Sequence, residues 1–202
     1  LDIDSYTGSK TNVVFTEHHL SHAAYSYYTS PYNNAIVVSV DGVGEWETTT
    51  IYEGTKNKLK KLDSIKFPHS LGMFYSAFTA FLGFKPNEGE YKMMGLAPYG
   101  DSSRYIDKFD SIISGKEGNF KLNMDLFTYE YSDTHMFNEK LGMLLELPNR
   151  LPEEPLTQDH KDLAASVQAI YEKYFFNSCI SWISSIQLCS GHFGRCLRER
   201  HP

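Results

Sequence analysis

The apolar and polar positions alternate, run together or space out along the chain in ways that predict its elements. A short β-branched run, TNVVFTE (11–17), predicts a strand, and the Ala-, Leu- and Tyr-rich stretch Glu17–Thr29 after it predicts a helix. A turn cluster, SPYNN (30–34), leads into AIVVSV (35–40). This near-continuous apolar run is the mark of a strand buried on both faces. Asp41-Gly42-Val43-Gly44 predicts a turn at its end. WETTTIYE (46–53) alternates, and KLKKLDSIKF (58–67) reads as a third strand. Three sequential strands with tight connections predict an antiparallel meander.

SLGMFYSAFTAFLGF (70–84) is apolar on nearly every side and predicts a buried helix, with Ser70 as N-cap and Gly83 as stop. KPNEGEYKMMGLAPYG (85–100) is dense in Gly and Pro and predicts turns. Residues 101–156 show no sustained period. They predict short helices near Tyr105–Ile113 and Met136–Leu145 within an insertion or peripheral cap. The longest helical signal is 157–183, capped by Thr157 or Asp159, with Leu163, Val167, Ile170, Tyr171 and Tyr174 on one face. The stretch 186–202 loses all periodicity and concentrates Cys, Arg and His, so it reads as an atypical tail. Cys189, His192, Cys196 and His201 in it match no common zinc spacing.

Composition narrows the class. A chain of 202 residues with 41% hydrophobic and 22% charged content has material for one substantial globular core. The net charge of −6 argues against a general nucleic-acid or anionic-membrane binder. No apolar run is long enough for a transmembrane helix, and the polar N-terminus lacks the regions of a signal peptide. Residues 1–178 hold no cysteine, which points to a reducing compartment and a cytoplasmic location.

Three features can carry chemistry. On a helix, His18 and His22 stand one turn apart on one face, as two imidazoles must to share a metal ion; His19 points about 100° away. Asp41, at a strand end, can complete a two-histidine, one-carboxylate set with them. Gly42 and Gly44 beside it permit close backbone approach to a phosphate. In NEGEYKMMGLAPYG, Glu88, Glu90 and Lys92 alternate with small residues, which suits a loop meeting a polar ligand, with Lys92 as a point charge for phosphate. Each feature alone also fits a plain reading: satisfied histidines, an Asp-Gly hairpin turn, and a solvated charge run on a surface turn.

Taken as an ordered set, EHHLSHAAYSYYTSP, AIVVSVDGVGEWETTTIY, PHSLGMFYSAFTAFLGF, GEYKMMGLAPYG and DLAASVQAIYEK resemble the NodU/CmcH-type O-carbamoyltransferases over roughly residues 12 to 183. The HHLSHAA and GEYKMMGLAPYG blocks are the most specific. The resemblance implies an α/β fold of the actin-like ATPase type, RNase-H-like, with a mixed sheet and flanking helices. In that frame residues 1–30 end the first RNase-H-like half, and 31–185 form the second, with an insertion near 101–156. It implies transfer of a carbamoyl group from carbamoyl-adenylate, made from carbamoyl phosphate and ATP, to a hydroxyl of a small-molecule acceptor, as in natural-product biosynthesis. His18, His22 and Asp41 become metal ligands with iron as the ion, Asp41 and Lys92 catalytic candidates, and Gly42, Gly44, Glu90 and Gly95 cofactor-binding ones. Neither nucleic acid nor membrane is implied as a partner, and a homodimer stays open.

The departures from the family pattern are also plain. The opening strand with its phosphate loop, a later Gly-rich strand and loop, a further metal-binding Asp and a YrdC-like domain have no counterpart here. The resemblance therefore implies an interior fragment, incomplete for the reaction, with a changed reading frame near Ser185 as one account of the tail. A similar fold serves tRNA threonylcarbamoyladenosine synthesis, and that alternative is disfavoured by the acidic balance and the lack of a basic patch. An inactive product is the remaining alternative.

Overall fold

The computed structural model describes residues 14–115 and 119–189. Residues 11–13 of the first predicted strand, and the tail beyond Cys189 with His192, Cys196 and His201, lie outside the described residues; residues 14–17 are not a strand. The chain then forms helix α1 (His18–Tyr28) and strands β1 (Asn34–Gly44), β2 (Glu47–Thr55) and β3 (Lys58–Lys66). The strands pair in the order β1-β2-β3, both pairs antiparallel, so the expected meander is present. β2 turns into β3 through Lys56-Asn57, both with left-handed φ (48° and 63°), the geometry that matches strand twist in a two-residue hairpin.

The predicted turn at Asp41–Gly44 is corrected. These residues belong to β1, and the turn falls at Glu45-Trp46, where Glu45 has φ 59°. Regular pairing stops at Val40↔Thr49 and resumes at Gly44↔Glu47, so residues 41–43 form a bulged stretch. Glycines at a bulge let a strand kink and continue where a side chain would resist.

β1 meets a helix on each face, yet it is only half-buried, with Val37 and Gly44 its buried residues, so the expected strand buried on both faces is met in part. Ala35 and Val37 pack with Tyr52, Ala23 and Tyr27, joining β1 and β2 to α1. Val40, of opposite parity, packs into the main core with helix α2 (Leu71–Phe81). Ser70 caps α2 as expected, accepting from Met73 N–H at 3.0 Å, and Gly83 follows the helix with φ 72°. The α2 residues Leu71, Phe74, Ala77, Phe78 and Phe81 are all buried. Phe74 and Phe78 meet Phe109 ring to ring.

The segment after α2 is a second correction. Residues 86–88 form the expected turn, but Glu90–Leu96 is helix α3, followed by a 3₁₀ turn at Ala97–Tyr99. Another 3₁₀ turn spans Ile106–Ser111, and a small antiparallel pair joins β4 (Ile113–Ser114) to β5 (Lys121–Leu122). Helix α4 (Glu139–Leu145) and the long α5 (Gln158–Cys189) complete the order. Residues 101–156, expected at the periphery, instead place Phe109, Phe120, Phe127, Leu141 and Leu145 in the same core as α2 and α5. α5 also runs past residue 183 into the stretch read as tail. Among the described residues every strand pair is antiparallel, and no helix is long and apolar enough to cross a membrane.

Two histidines, His160 buried and His69 half-buried, should make the fold acid-sensitive. His160 Nδ1 accepts Thr157 N–H at 3.0 Å, a capping box with imidazole in place of carboxylate, and His69 Nδ1 accepts Leu122 N–H at 3.2 Å. Both roles require the neutral ring. Burial, aided by Arg150 for His160 and by Lys121 for His69, pushes both below the ordinary histidine value. A folded-state value below the unfolded one means the unfolded chain takes up protons first. Stability should therefore be full above about pH 6.5 and decline as the pH falls below it. Urea midpoints at pH 7 and pH 5 measure this. His160→Gln, which keeps an acceptor but cannot titrate, should show a smaller drop; an unchanged drop would remove His160 from the effect.

Candidate metal centre and adjoining pocket

The site begins with the stripe that α1 buries. His19, Ala23 and Tyr27 recur every four residues and face the sheet, so His18 and His22 form the neighbouring stripe at the helix edge. Three contacts hold the helix in place. His19 Nδ1 lies 2.9 Å from Thr50 Oγ1, Tyr27 donates to Asn33 O at 2.8 Å, and Lys61 links Glu17 (3.2 Å) to Glu47 (2.9 Å). His19 is 1% exposed with Nε2 unpartnered among the described residues, and burial, partly offset by Asp41, lowers its pKa. It is a packing residue, as its place on the helix predicts.

Asp41 comes from the bulge of β1 and meets the two edge histidines. His18 Nε2 lies 2.6 Å from Asp41 Oδ2, His22 Nε2 lies 3.6 Å from the same oxygen, and the two imidazole nitrogens are 3.0 Å apart. All three donors fall within 4.8 Å of one another. Donors bound at about 2.1 Å around one ion stand roughly 3.0–3.4 Å apart, so this set fits a divalent ion with little adjustment. Partial burial by itself raises the Asp41 pKa. Hydrogen bonds from His18 and Gly42 N–H outweigh it and hold the carboxyl below its ordinary value. It is thus an anion ready to ligate. All three side chains are partly open to solvent, which leaves room for a further ligand.

The bulge is locked from the other side by α2. Ser70, fully buried, donates to Gly42 O at 2.6 Å and also approaches Asp41 O at 3.2 Å. Gly72 lets the helix come this close: a Cβ there would sit 2.7 Å from Asp41 O. Neither role is visible in the sequence, where Ser70 reads only as a cap. Gly44 serves the histidines, since a Cβ on it would stand 2.5 Å from both His18 Cδ2 and His19 Cδ2.

Beside the triad, Asp41 and Gly42 open into a pocket of about 460 Å³. Tyr75, Glu90, Tyr91 and Tyr171 line it with them. Tyr75 donates to Gln168 Oε1 at 2.7 Å, and burial, with Tyr171, Glu172 and Glu90 nearby, pushes its hydroxyl up to about 12. Glu90 accepts from Ser76 (2.7 Å), Asn87 N–H (2.8 Å) and Gly89 N–H (3.2 Å). Burial pushes its carboxyl up, but those bonds outweigh it and hold it low. Glu90 thus reaches the pocket while pinning the loop before α3 to α2. Lys92 does not join it, lining a separate pocket with Lys85 and Arg150. Gly95 lines neither pocket, and a Cβ there would meet nothing within 4 Å.

A family model described as carbamoyltransferase N-terminus matches residues 3–189. An uncharacterized protein of Synechocystis, sll1178, is 48% identical over 172 residues, which cover 84% of this chain and 28% of the relative. Nodulation protein NolNO of Sinorhizobium fredii is 29% identical over 92% of this chain and 26% of its own length. Nodulation protein NolO of Bradyrhizobium diazoefficiens is 29% identical over 80% of this chain and 27% of its own. The chain therefore spans between 26% and 28% of the length of these relatives.

Proposed function

This chain belongs to the carbamoyltransferase N-terminus family, and from that premise we propose that it forms the carbamoyl-transfer site of a longer O-carbamoyltransferase. The group would pass from carbamoyl-adenylate, formed from carbamoyl phosphate and ATP, to a hydroxyl of a small-molecule acceptor. The observation that carries the reading is the convergence of His18, His22 and Asp41 beside a pocket that shares Asp41. The meander and its flanking helices are compatible with the actin-like ATPase fold, which belongs to the same proposal, as does a cytoplasmic location.

His18, His22 and Asp41 are the residues that would hold the ion, iron or another divalent metal. Bound there, it would supply Lewis-acid polarisation of a carbonyl or phosphoryl oxygen. The chain's own groups do the rest. Gly42 and Gly72 line the pocket floor without side chains, and their close packing fixes Asp41 at its edge. Tyr91 and Tyr171 offer flat apolar walls to a base. Tyr75 stays protonated at neutral pH and donates to Gln168, whose Nε2 in turn donates to Glu172 at 2.8 Å, so this wall of the pocket is held in place. At about 460 Å³ the pocket falls within the roughly 300–1,000 Å³ of small-molecule sites.

Metal analysis tests the centre. The purified wild-type protein should retain a divalent metal, His18→Ala/His22→Ala should lose it, and Lys92→Ala should keep it. Equal metal in the wild type and the double variant would overturn the assignment.

A further inference from the structure

We propose that the pocket around Lys92 is a separate phosphate-binding site. This pocket, about 780 Å³, is lined by Gly83, Phe84, Lys85, Lys92, Arg150 and Glu153 among others. The key group is Arg150, only 7% exposed. Its Nη1 donates to Leu82 O and Leu151 O, both at 3.1 Å, and its Nη2 to Pro152 O at 3.0 Å. Its backbone N–H bonds Phe81 O at 3.0 Å. The Phe81 and Leu82 carbonyls lie at the C-terminal end of α2, where the helix dipole favours a cation, and those of Leu151 and Pro152 belong to the loop of Arg150 itself. They are dipoles all the same and neutralise no full charge. Nε finds no partner among the described residues, and none of the ion pairs found there involves Arg150 or Lys92.

A guanidinium taken out of water without a counter-ion is costly. Arg150 lies over the Phe84 ring at 5.2 Å and Lys92 over the Tyr91 ring at 5.9 Å, and neither ring neutralises a charge. Lys85 is paired with the exposed Glu88, and Glu153 is the one carboxylate lining the pocket beside three cations. With Lys85 neutralised by Glu88, Arg150 and Lys92 exceed Glu153 by one charge, which suits an anion. Arg150, its Nη groups given to carbonyls and its Nε closed off, supplies a fixed positive field, and the exposed Lys92 supplies the mobile point charge that would meet a phosphate oxygen. The site lies apart from the triad and does not depend on the function proposed for it. The ligand is a phosphate group, free or carried as a monoester.

Isothermal titration at fixed ionic strength, with inorganic phosphate and with glycerol phosphate, tests this. Wild-type protein should bind at least one of them saturably, and the tighter of the two identifies the source. Lys92 is exposed, so Lys92→Ala leaves the core intact and should weaken binding by at least about tenfold. His18→Ala/His22→Ala should bind as the wild type does, even if that variant shows the metal assignment to be wrong. No saturable binding, equal affinity in wild type and Lys85→Ala/Lys92→Ala, or loss only in the histidine variant would each overturn the proposal.

Discussion

Gly100→Ala should lower the stability of this chain by about 3 kcal/mol, the upper range for forcing one methyl into a packed interior. The added Cβ would stand 2.0 Å from Lys161 O, 2.3 Å from Lys161 C and 2.6 Å from Asp162 N. All three are backbone atoms of α5, so no rotamer change relieves the clash. The segment cannot back away either. Asp162 accepts Asp101 N–H at 2.8 Å, Gln158 donates to Tyr99 O at 3.1 Å, and Ser166 donates to Ser102 O at 2.8 Å. Relief would break that row of bonds and tilt α5, which carries Gln168 and Tyr171 to the pocket. Urea unfolding with an unchanged slope measures the loss. A midpoint equal to that of the wild type would show that the contact gives more easily than its backbone atoms suggest.

Gly100 closes a motif whose sequence hid its structure. Gly and Pro density argued for turns within 85–100, and residues 86–88 do turn, yet Met93, fully buried, anchors the seven-residue α3 against α2 and α5. Glu90 in the first turn is a helix-start signal that the glycines outweighed. The difference decides chemistry. In a loop Glu90 and Lys92 could meet one ligand. On a helix two residues apart they point about 200° apart, and they line different pockets. The meander was legible because alternation and a continuous apolar run are local signals. Its true end was not, because Asp-Gly is a hairpin signal in isolation, and only the Gly44↔Glu47 pairing shows the strand continuing. Phe109, Phe120 and Phe127 gave no period, since irregular segments bring them to the core one at a time.

The site divides in the same way. His18 and His22 are related by helix geometry alone, so spacing revealed them. Asp41 could be named as a partner but not placed. The pocket joins Tyr75 to Gln168 across 93 positions of sequence, a juxtaposition that only the packing of α2 on α5 creates. Ser70 and Gly72 act through backbone atoms of the bulge, and no side-chain pattern announces such a role.

Gly44→Ala should weaken metal binding by about 10- to 100-fold although it removes no ligand atom, the scale seen when groups that orient ligands are disturbed. The methyl would fall 2.5 Å from His18 Cδ2 and from His19 Cδ2, and 2.7 Å from His19 Nε2. His19 is buried and bonded to Thr50, so it cannot yield. His18 is 43% exposed and can. The strain therefore resolves by swinging His18 outward, away from the Asp41 oxygen that it meets at 2.6 Å. Competition titration with a metal indicator reads the affinity directly. Gly95→Ala is the matched control: its Cβ meets nothing within 4 Å, and in a helix the change should stabilise by roughly 0.5–1 kcal/mol with metal binding unaltered. If Gly44 instead serves close backbone approach to a nucleotide, Gly44→Ala would keep wild-type metal affinity and lose adenylate binding. The two readings of one glycine thus separate on a single variant: a moved histidine changes the metal, and a blocked backbone does not.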